Sequence, residues 1–185
     1  VLTQVFVDDD RDEVTIAIIN TYLAFADEDY DTRTEEVDIT AYGLDIVSKE
    51  YVKTLTSDND YVGFTLPVED FAMVADVKDG DPMLVTVAEG AVQSVAVPEI
   101  LASAEITAFK KNSNVTVDGT KYSYSSAAEY DWKVLDKYTG TGSGIVNLKD
   151  VTYNVYLDRY GYAIGVDVVD AVNNYVFISA IQRDG

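Results

Sequence analysis

The chain has 185 residues, of which 33 are acidic and 13 basic, so its formal net charge is −20. A polyanion of this size repels phosphate backbones and anionic lipid, which argues against nucleic acid and membrane surfaces as partners. The sequence contains neither cysteine nor histidine. This excludes disulfides, thiol nucleophiles, imidazole bases and the usual zinc ligand sets.

Hydrophobic residues make up 48% of the chain, which favours a buried core over disorder. No stretch approaches the roughly 20 apolar residues that a membrane-spanning helix requires, so membrane insertion is not expected. The chain begins at Val1 without a signal peptide and ends at Gly185 just after an apolar strand. We interpret it as a fragment of a longer protein.

Strand patterns begin at the N-terminus. Val5–Val7 lead into the acidic run Asp8–Glu13, and a long apolar stretch, Val14–Phe25, follows. Within that stretch the apolar side chains change face: Val14, Ile16 and Ile18 lie on one face, and Ile19, Leu23 and Phe25 on the other. The change predicts either a β-bulge or a strand coiled around a barrel corner.

The rest of the first half is also strand-like. Glu36–Tyr42 alternates at period two, and Tyr61–Val68 is a shorter strand that ends at a proline. Leu44–Leu55 fits either a helix or a strand. Met83–Val97 predicts a hairpin with its turn at Glu89-Gly90.

Pro98 interrupts the strand pattern, and the same kind of pattern restarts beyond it. Asp118-Gly119 between two short strands is a typical two-residue hairpin turn. With that loop length Val117 faces Thr120, and Val115 faces Tyr122.

A helical segment and a final hairpin follow. Ser126 and Glu129 have the spacing of a capping box, which predicts a short helix that holds Trp132 and Leu135 toward the core. Tyr153–Val166 predicts two strands joined by an Asp-Arg-Tyr-Gly turn. The pattern places Val151, Tyr153, Val155 and Leu157 on one face of the first strand, and Ile164, Val166 and Val168 on one face of the second.

The two halves resemble each other weakly. Thr21–Phe25 aligns with Ile106–Phe109, and Met83–Val97 aligns with Tyr153–Val168. We therefore predict an all-β chain of two tandem, small, OB-like β-barrel modules with a short helical insertion. The boundaries are 1–98 and 99–185, and residues 172–185 begin or close a further unit. An immunoglobulin-like β-sandwich is the alternative.

Two acidic clusters are candidates for weak calcium binding, because hard cations accept grouped carboxylates. Asp8, Asp10 and Asp12 match the start of a calcium loop, but Glu13 replaces its glycine and Ile19 its last ligand, which favours a solvated turn. The second cluster has a similar spacing within strand-like flanks, and its alternative is again a solvated loop. Its residues are Asp27, Asp29, Asp31, Glu35 and Asp38.

The C-terminal half is rich in tyrosine. Tyr122, Tyr124, Tyr130, Tyr138, Tyr153, Tyr156, Tyr160 and Tyr162 all lie within it. Tyrosines on a sheet face either pack against neighbouring residues or stack on sugars, and their high strand propensity favours packing.

Four segments carry a resemblance to a known family. They are VFVDDDRDEVTIAIINTYLAF (5–25), DGDPMLVTVAEGAVQSV (79–95), VTVDGTKYSYS (115–125) and YNVYLDRYGYAIGV (153–166). These segments resemble β-rich modules of bacterial cell-surface proteins that contain S-layer homology (SLH) domains. The resemblance implies an extracellular location on the cell surface or wall, in an S-layer-type array or an adhesin-like protein, and it brings no catalytic residue.

The expected function is therefore that of a non-catalytic structural or spacer module. Its partners would be neighbouring modules of the same protein or array. The alternative is an adhesion module that binds cell-wall or host glycans, or another protein, with or without help from calcium. With 33 acidic residues in the chain, some carboxylates will be close together by chance, and no motif selects a catalytic pair.

Overall fold

The computed structural model describes residues 2–8, 10–42, 52–55, 61–88, 91–111, 113–126, 135 and 148–169. These residues form antiparallel β-sheets, one of which curves into half a barrel, so the chain is all-β as predicted. The strands of the first half are β1 Leu2–Asp8, β2 Glu13–Ala26, β3 Glu36–Tyr42, β4 Val52–Leu55, β5 Tyr61–Pro67, β6 Pro82–Ala88 and β7 Ala91–Ala96. Those of the second half are β8 Glu99–Ala104, β9 Ile106–Lys110, β10 Asn114–Val117, β11 Thr120–Ser123, β12 Thr152–Leu157 and β13 Ala163–Val169. Short 3₁₀ helices cover Ala72–Asp76 and Leu148–Asp150.

The N-terminal sheet has the strand order β4-β5-β3-β2-β6-β7, and β1 pairs with β2 outside this path. Ile19 of β2 pairs with Leu2 of β1 and with Ala88 of β6, so these two strands lie on opposite edges of β2. Leu23 likewise pairs with Tyr42 of β3 on one edge and with Leu84 of β6 on the other. Strands β1 and β3 therefore share one edge of β2, one after the other.

Of the two predicted explanations for the change of face in β2, the β-bulge is wrong. The pairing of β2 with β1, with β3 and with β6 runs without a register shift. The apparent change of face has another cause: near its C-terminal end β2 is buried on both faces. Tyr22 and Ala24 pack into one hydrophobic cluster, while Leu23 packs into another.

The second half contains two three-stranded sheets, β11-β10-β9 and β13-β12-β8. The Asp118-Gly119 turn is confirmed, with φ of 46° and 82° at its two residues. Such positive values characterise the type I′ turn, whose twist suits a hairpin. The register is also as predicted, since Val117 pairs with Thr120 and Val115 with Tyr122.

The hairpin β12–β13 is confirmed, and one detail of its faces is corrected. Val166 and Val168 pack with Tyr153 in the second cluster, as alternation predicts. Ile164 instead packs with Tyr156 in a third cluster. A register shift explains this, because Tyr156 pairs with Gly165 and the next residue, Leu157, with Ala163. The shift leaves Ile164 opposite no residue and turns it to the other face.

Buried residues form two main clusters. The first lies under the N-terminal sheet and includes Val37, Ile39, Phe64, Leu66 and Val85. The second includes Ile106, Val115, Leu135, Tyr153 and Val155. Leu135 is fully buried, as predicted.

Several predictions concern residues that the structure does not describe. Outside the described residues lie the helical segment around Trp132, residues 44–51 of the ambiguous segment, the turn at Glu89-Gly90 and the terminal segment 172–185. The last four residues of the ambiguous segment form strand β4. The domain boundaries at 98 and 99 stay a prediction. Among the residues that are described, no helix has the length and apolar character needed to cross a membrane.

The two halves share a strand order. In the N-terminal sheet the order is β5-β3-β2-β6-β7, and in the second half the pairings run β11-β10-β9 and β8-β12-β13. Strands β8 and β9 are consecutive in the chain, separated only by Glu105. Together they occupy the place that the long strand β2 has in the first half. The predicted repeat thus has a counterpart in the order of pairing.

Candidate interaction surfaces

An apolar joint connects the N-terminal sheet to the hairpin β12–β13. The N-terminal sheet contributes the face of β2 and β6 that points away from the first cluster, and the hairpin contributes its face opposite the second cluster. The buried members are Leu23, Leu84, Tyr156 and Ile164, and Phe25 packs against them. The rings of Phe25 and Tyr156 meet edge to face, with centroids 5.5 Å apart and planes at 83°. Such contacts stabilise an aromatic pair beyond the area it buries.

Through its hydroxyl, Tyr156 links the two strands of the hairpin, β12 and β13. The hydroxyl donates a hydrogen bond to Asp167 Oδ2, at 3.0 Å. Burial raises the pKa of Tyr156, and the negative charge of Asp167 raises it further. The phenol therefore stays protonated over the whole physiological range, and it acts as a hydrogen-bond donor inside an apolar contact.

The second surface is a two-stranded extension, which we call the ribbon, formed by residues 2–8 of β1 and 13–18 of β2. Val5 pairs with Ile16 and Val7 with Val14. Directly paired residues share a face of the sheet, so these four side chains form one apolar stripe. Each is 59–63% exposed.

The opposite face of the ribbon is exposed as well, and it carries Phe6, which is 56% exposed. Every residue of the ribbon whose side chain is described lies in solvent. Within the described residues, β1 pairs with β2 alone. A two-stranded hairpin without a packed face is at best marginally stable in water.

The turn that joins the two strands of the ribbon is acidic. Residues 8–13 contain five acidic residues and one arginine, and we call them the acidic tip. Asp8 accepts a hydrogen bond from the backbone N–H of Asp10, at 3.1 Å, and forms an ion pair with Arg11, at 3.8 Å. The backbone at Asp12 has a φ of 57°. The sequence prediction of a solvated acidic turn fits this geometry.

Four of the five carboxylates of the second acidic cluster, those of Asp27, Asp29, Asp31 and Asp38, accept hydrogen bonds from neighbouring groups. Asp27 accepts a hydrogen bond from the Thr40 hydroxyl, and Asp38 accepts one from the Thr65 hydroxyl. Glu35 has a φ of 60° at the turn before β3. The two hydroxyl contacts attach the carboxylates of Asp27 and Asp38 to strands β3 and β5.

Asp29 and Asp31 accept charged or backbone donors. The backbone N–H of Asp79 donates to Asp29 at 3.0 Å, and together with the Lys78 ammonium it lowers the pKa of Asp29. The guanidinium of Arg33 donates to Asp31 at 3.0 Å and lowers the pKa of that carboxyl. Both aspartates therefore act as turn-stabilising acceptors.

The calcium site remains a prediction. Across the described part of the chain, no group of three or more acidic side chains is placed to hold a metal ion. Asp8, Asp10 and Asp12 share the acidic tip, and the members of the second cluster are each engaged as above or lie in its turn.

The described tyrosines of the C-terminal half range from buried to exposed, and Tyr130 and Tyr138 lie outside the described residues. Tyr153 and Tyr156 are buried, and the hydroxyl of Tyr153 donates to the backbone carbonyl of Leu148 at 3.0 Å. Tyr160 and Tyr162, at the turn of the same hairpin, are 53% and 47% exposed. Arg159 stacks on the ring of Tyr160 with 4.8 Å from its guanidinium carbon to the ring centroid. Packing therefore accounts for Tyr153 and Tyr156, and Tyr122 and Tyr124 also pack against the second cluster.

The sequence interpretation missed the joint, although a signal was present. Residues 22–26, YLAFA, and 83–85, MLV, are continuous apolar runs, whereas a strand with one wet face alternates. A continuous run indicates a strand buried on both faces. The ribbon was missed for the opposite reason, because its alternating pattern is typical of a strand with one buried face.

Comparison of the chain with protein-family models, with curated proteins and with solved structures gave no match.

Proposed function

We propose that the chain is a non-catalytic structural module of an exported bacterial cell-surface protein of the S-layer type, in which it acts as a stiff spacer. The observation that carries the proposal is the apolar joint. A spacer transmits position only if its parts do not move relative to one another, and a joint with a desolvated aromatic contact resists such motion. Leu23 and Ile164, both fully buried, are the centre of that contact.

Two further features support this function. The order of strand pairing is similar in the two halves, as expected for a building unit that is used more than once. The resemblance of four segments to β-rich modules of SLH-domain proteins supplies the cellular setting. A net charge of −20 would keep such a module hydrated and separate from anionic surfaces.

The test is the accessibility of the chain on living cells. Antibodies raised against the purified chain should label intact cells of the source bacterium, and external protease should remove the label. Antibodies against a cytoplasmic protein of the same cells serve as the control, because they should label only after lysis. Labelling that also requires lysis would refute a surface location.

Binding of glycans by an adhesion module is the second candidate, and the exposed pair Tyr160 and Tyr162 favours it. Two exposed aromatic rings beside Arg159 offer stacking surfaces and hydrogen-bond donors to a sugar. A glycan array probed with the wild-type chain and with Tyr160→Ala tests this function. A signal that Tyr160→Ala abolishes would support it, and an array without signal would count against it.

A further inference from the structure

The ribbon presents an unusual combination of exposed groups. Val5, Val7, Val14 and Ile16 form an apolar stripe in solvent, each 59–63% exposed. Contiguous exposed apolar side chains of this kind are characteristic of interaction sites. Among the described residues, no other strand or side chain covers the stripe.

The backbone of the ribbon defines how a partner would bind. Strand β1 pairs on one edge with β2, and within the described residues its other edge has no strand beside it. An edge of this kind accepts an additional strand through main-chain hydrogen bonds, while alternate side chains of the added strand meet the apolar stripe. Antiparallel addition is the more common geometry.

The negative charge of the acidic tip and of the whole chain indicates which partners could add such a strand. The acidic tip carries five acidic residues and one arginine, and the whole chain has a net charge of −20. A second copy would bring the same excess of negative charge to the contact, and anionic lipid or nucleic acid would be repelled. A cationic polypeptide would be attracted.

We propose that the ribbon is a docking arm for another protein, which adds an extended apolar segment as an antiparallel strand along β1. The segment begins with Lys or Arg residues beside the acidic tip and continues with apolar residues at alternate positions over the stripe. This proposal goes beyond the spacer function and does not depend on it, since the ribbon lies outside the joint.

Synthetic peptides test the docking arm directly. The probe is a labelled peptide of two N-terminal lysines followed by alternating threonine and valine, and its binding to the chain is measured by fluorescence anisotropy. We expect it to bind about tenfold more tightly than the same peptide with two glutamates, and the preference should shrink in high salt. A version with N-methylated backbone should lose binding, because it cannot pair with the edge of β1.

Variants of the chain locate the contact. The double substitution Val7→Thr and Ile16→Thr should weaken peptide binding about tenfold without changing the melting temperature, because both side chains are exposed. Val97→Thr, at a position 69% exposed outside the ribbon, is the matched control and should bind as the wild type does. Asp10→Lys with Glu13→Lys should abolish most of the preference for the lysine peptide, because the two changes bring the formal charge of the acidic tip from −4 to 0.

Two results would overturn the proposal. One is a lysine peptide that fails to bind, or that binds the Val7→Thr, Ile16→Thr variant as well as the wild type. The other is a dimer in analytical ultracentrifugation that this same variant dissociates, which would assign the ribbon to a second copy.

Discussion

The ribbon and the hairpin β12–β13 are built alike and lie in opposite surroundings. Each consists of two antiparallel strands joined by a short turn that contains a residue of positive φ, Asp12 in the ribbon and Gly161 in the hairpin. Each also has valine or isoleucine at alternate positions. In the hairpin these residues are buried or half-buried, and Val155 and Val166 are fully buried. In the ribbon they are largely exposed.

The difference teaches that neighbours, not the strand pattern, determine burial. Strand β12 lies between β8 and β13, with the second cluster on one face and the joint on the other. Among the described residues, strand β1 has β2 as its one neighbour, and both of its faces are exposed. An alternating pattern therefore predicts a strand and its faces, while the covering of those faces depends on contacts between residues far apart in the sequence.

The largest expected effect is on the free energy of unfolding when an aromatic side chain is removed, and it should differ between the hairpin and the ribbon. Tyr153→Ala should cost about 3–5 kcal/mol of unfolding free energy, because it removes a fully buried ring and empties its site. Phe6→Ala in the ribbon should cost less than about 0.5 kcal/mol, because the ring is already exposed. Urea denaturation with an unchanged m-value measures both. A similar loss for the two variants would mean that the ribbon is packed within the monomer.

Substitutions at the positive-φ residues of the two turns should change the free energy of unfolding by a smaller amount. Gly161 has a φ of 78°, and an added Cβ would meet nothing within 4 Å, so Gly161→Ala tests backbone strain alone. It should destabilise the chain by about 1–2 kcal/mol.

The matched change in the ribbon is Asp12→Gly, at a φ of 57°. Relief of strain and the added freedom of the unfolded chain oppose each other here. Its free energy of unfolding should therefore stay within about 0.5 kcal/mol of wild type. The same urea titrations measure both variants, and a loss of 1 kcal/mol or more for Asp12→Gly would show that the acidic tip is stabilised by its aspartate.

Local features were predictable from the sequence because their causes are local. The Asp118-Gly119 turn fixes the register of β10 and β11 through the backbone preferences of two residues. The strand Glu36–Tyr42 follows from strict alternation, and its structural bounds match the predicted ones.

The remainder depends on contacts that the sequence pattern does not encode. The register shift at Ile164 arises where β12 and β13 adjust to each other, and only the pairing reveals it. The joint brings Phe25 against Tyr156, residues separated by more than half of the chain. The sequence shows which acidic residues are close along the chain, but not their hydrogen-bond partners, such as Thr40 of β3 for Asp27.

A double-mutant cycle sharpens the comparison at the joint. Phe25→Leu and Tyr156→Leu should show a coupling free energy of about 0.5–1.5 kcal/mol, because the two rings meet edge to face. The control cycle combines Phe25→Leu with Val115→Ala, whose side chain belongs to the second cluster. That pair should be additive within about 0.5 kcal/mol. Additivity in the first cycle would indicate that the aromatic contact does not hold the halves together.

The smallest expected effect is on stability at alkaline pH, and it should differ between the buried Tyr156 and the exposed Tyr160 of the hairpin β12–β13. Burial and the charge of Asp167 raise the pKa of Tyr156 above its ordinary value of 10.0. The folded state thus holds this proton more tightly than the unfolded state. The resulting stabilisation is fully present below pH 10 and is lost as the pH rises above it, toward the folded-state pKa.

Melting temperatures recorded from pH 8 to pH 11 should fall less steeply for Tyr156→Phe than for wild type. Tyr160→Phe, at the exposed turn, should follow the wild-type curve, and a wild-type slope in Tyr156→Phe would place the phenol in contact with water.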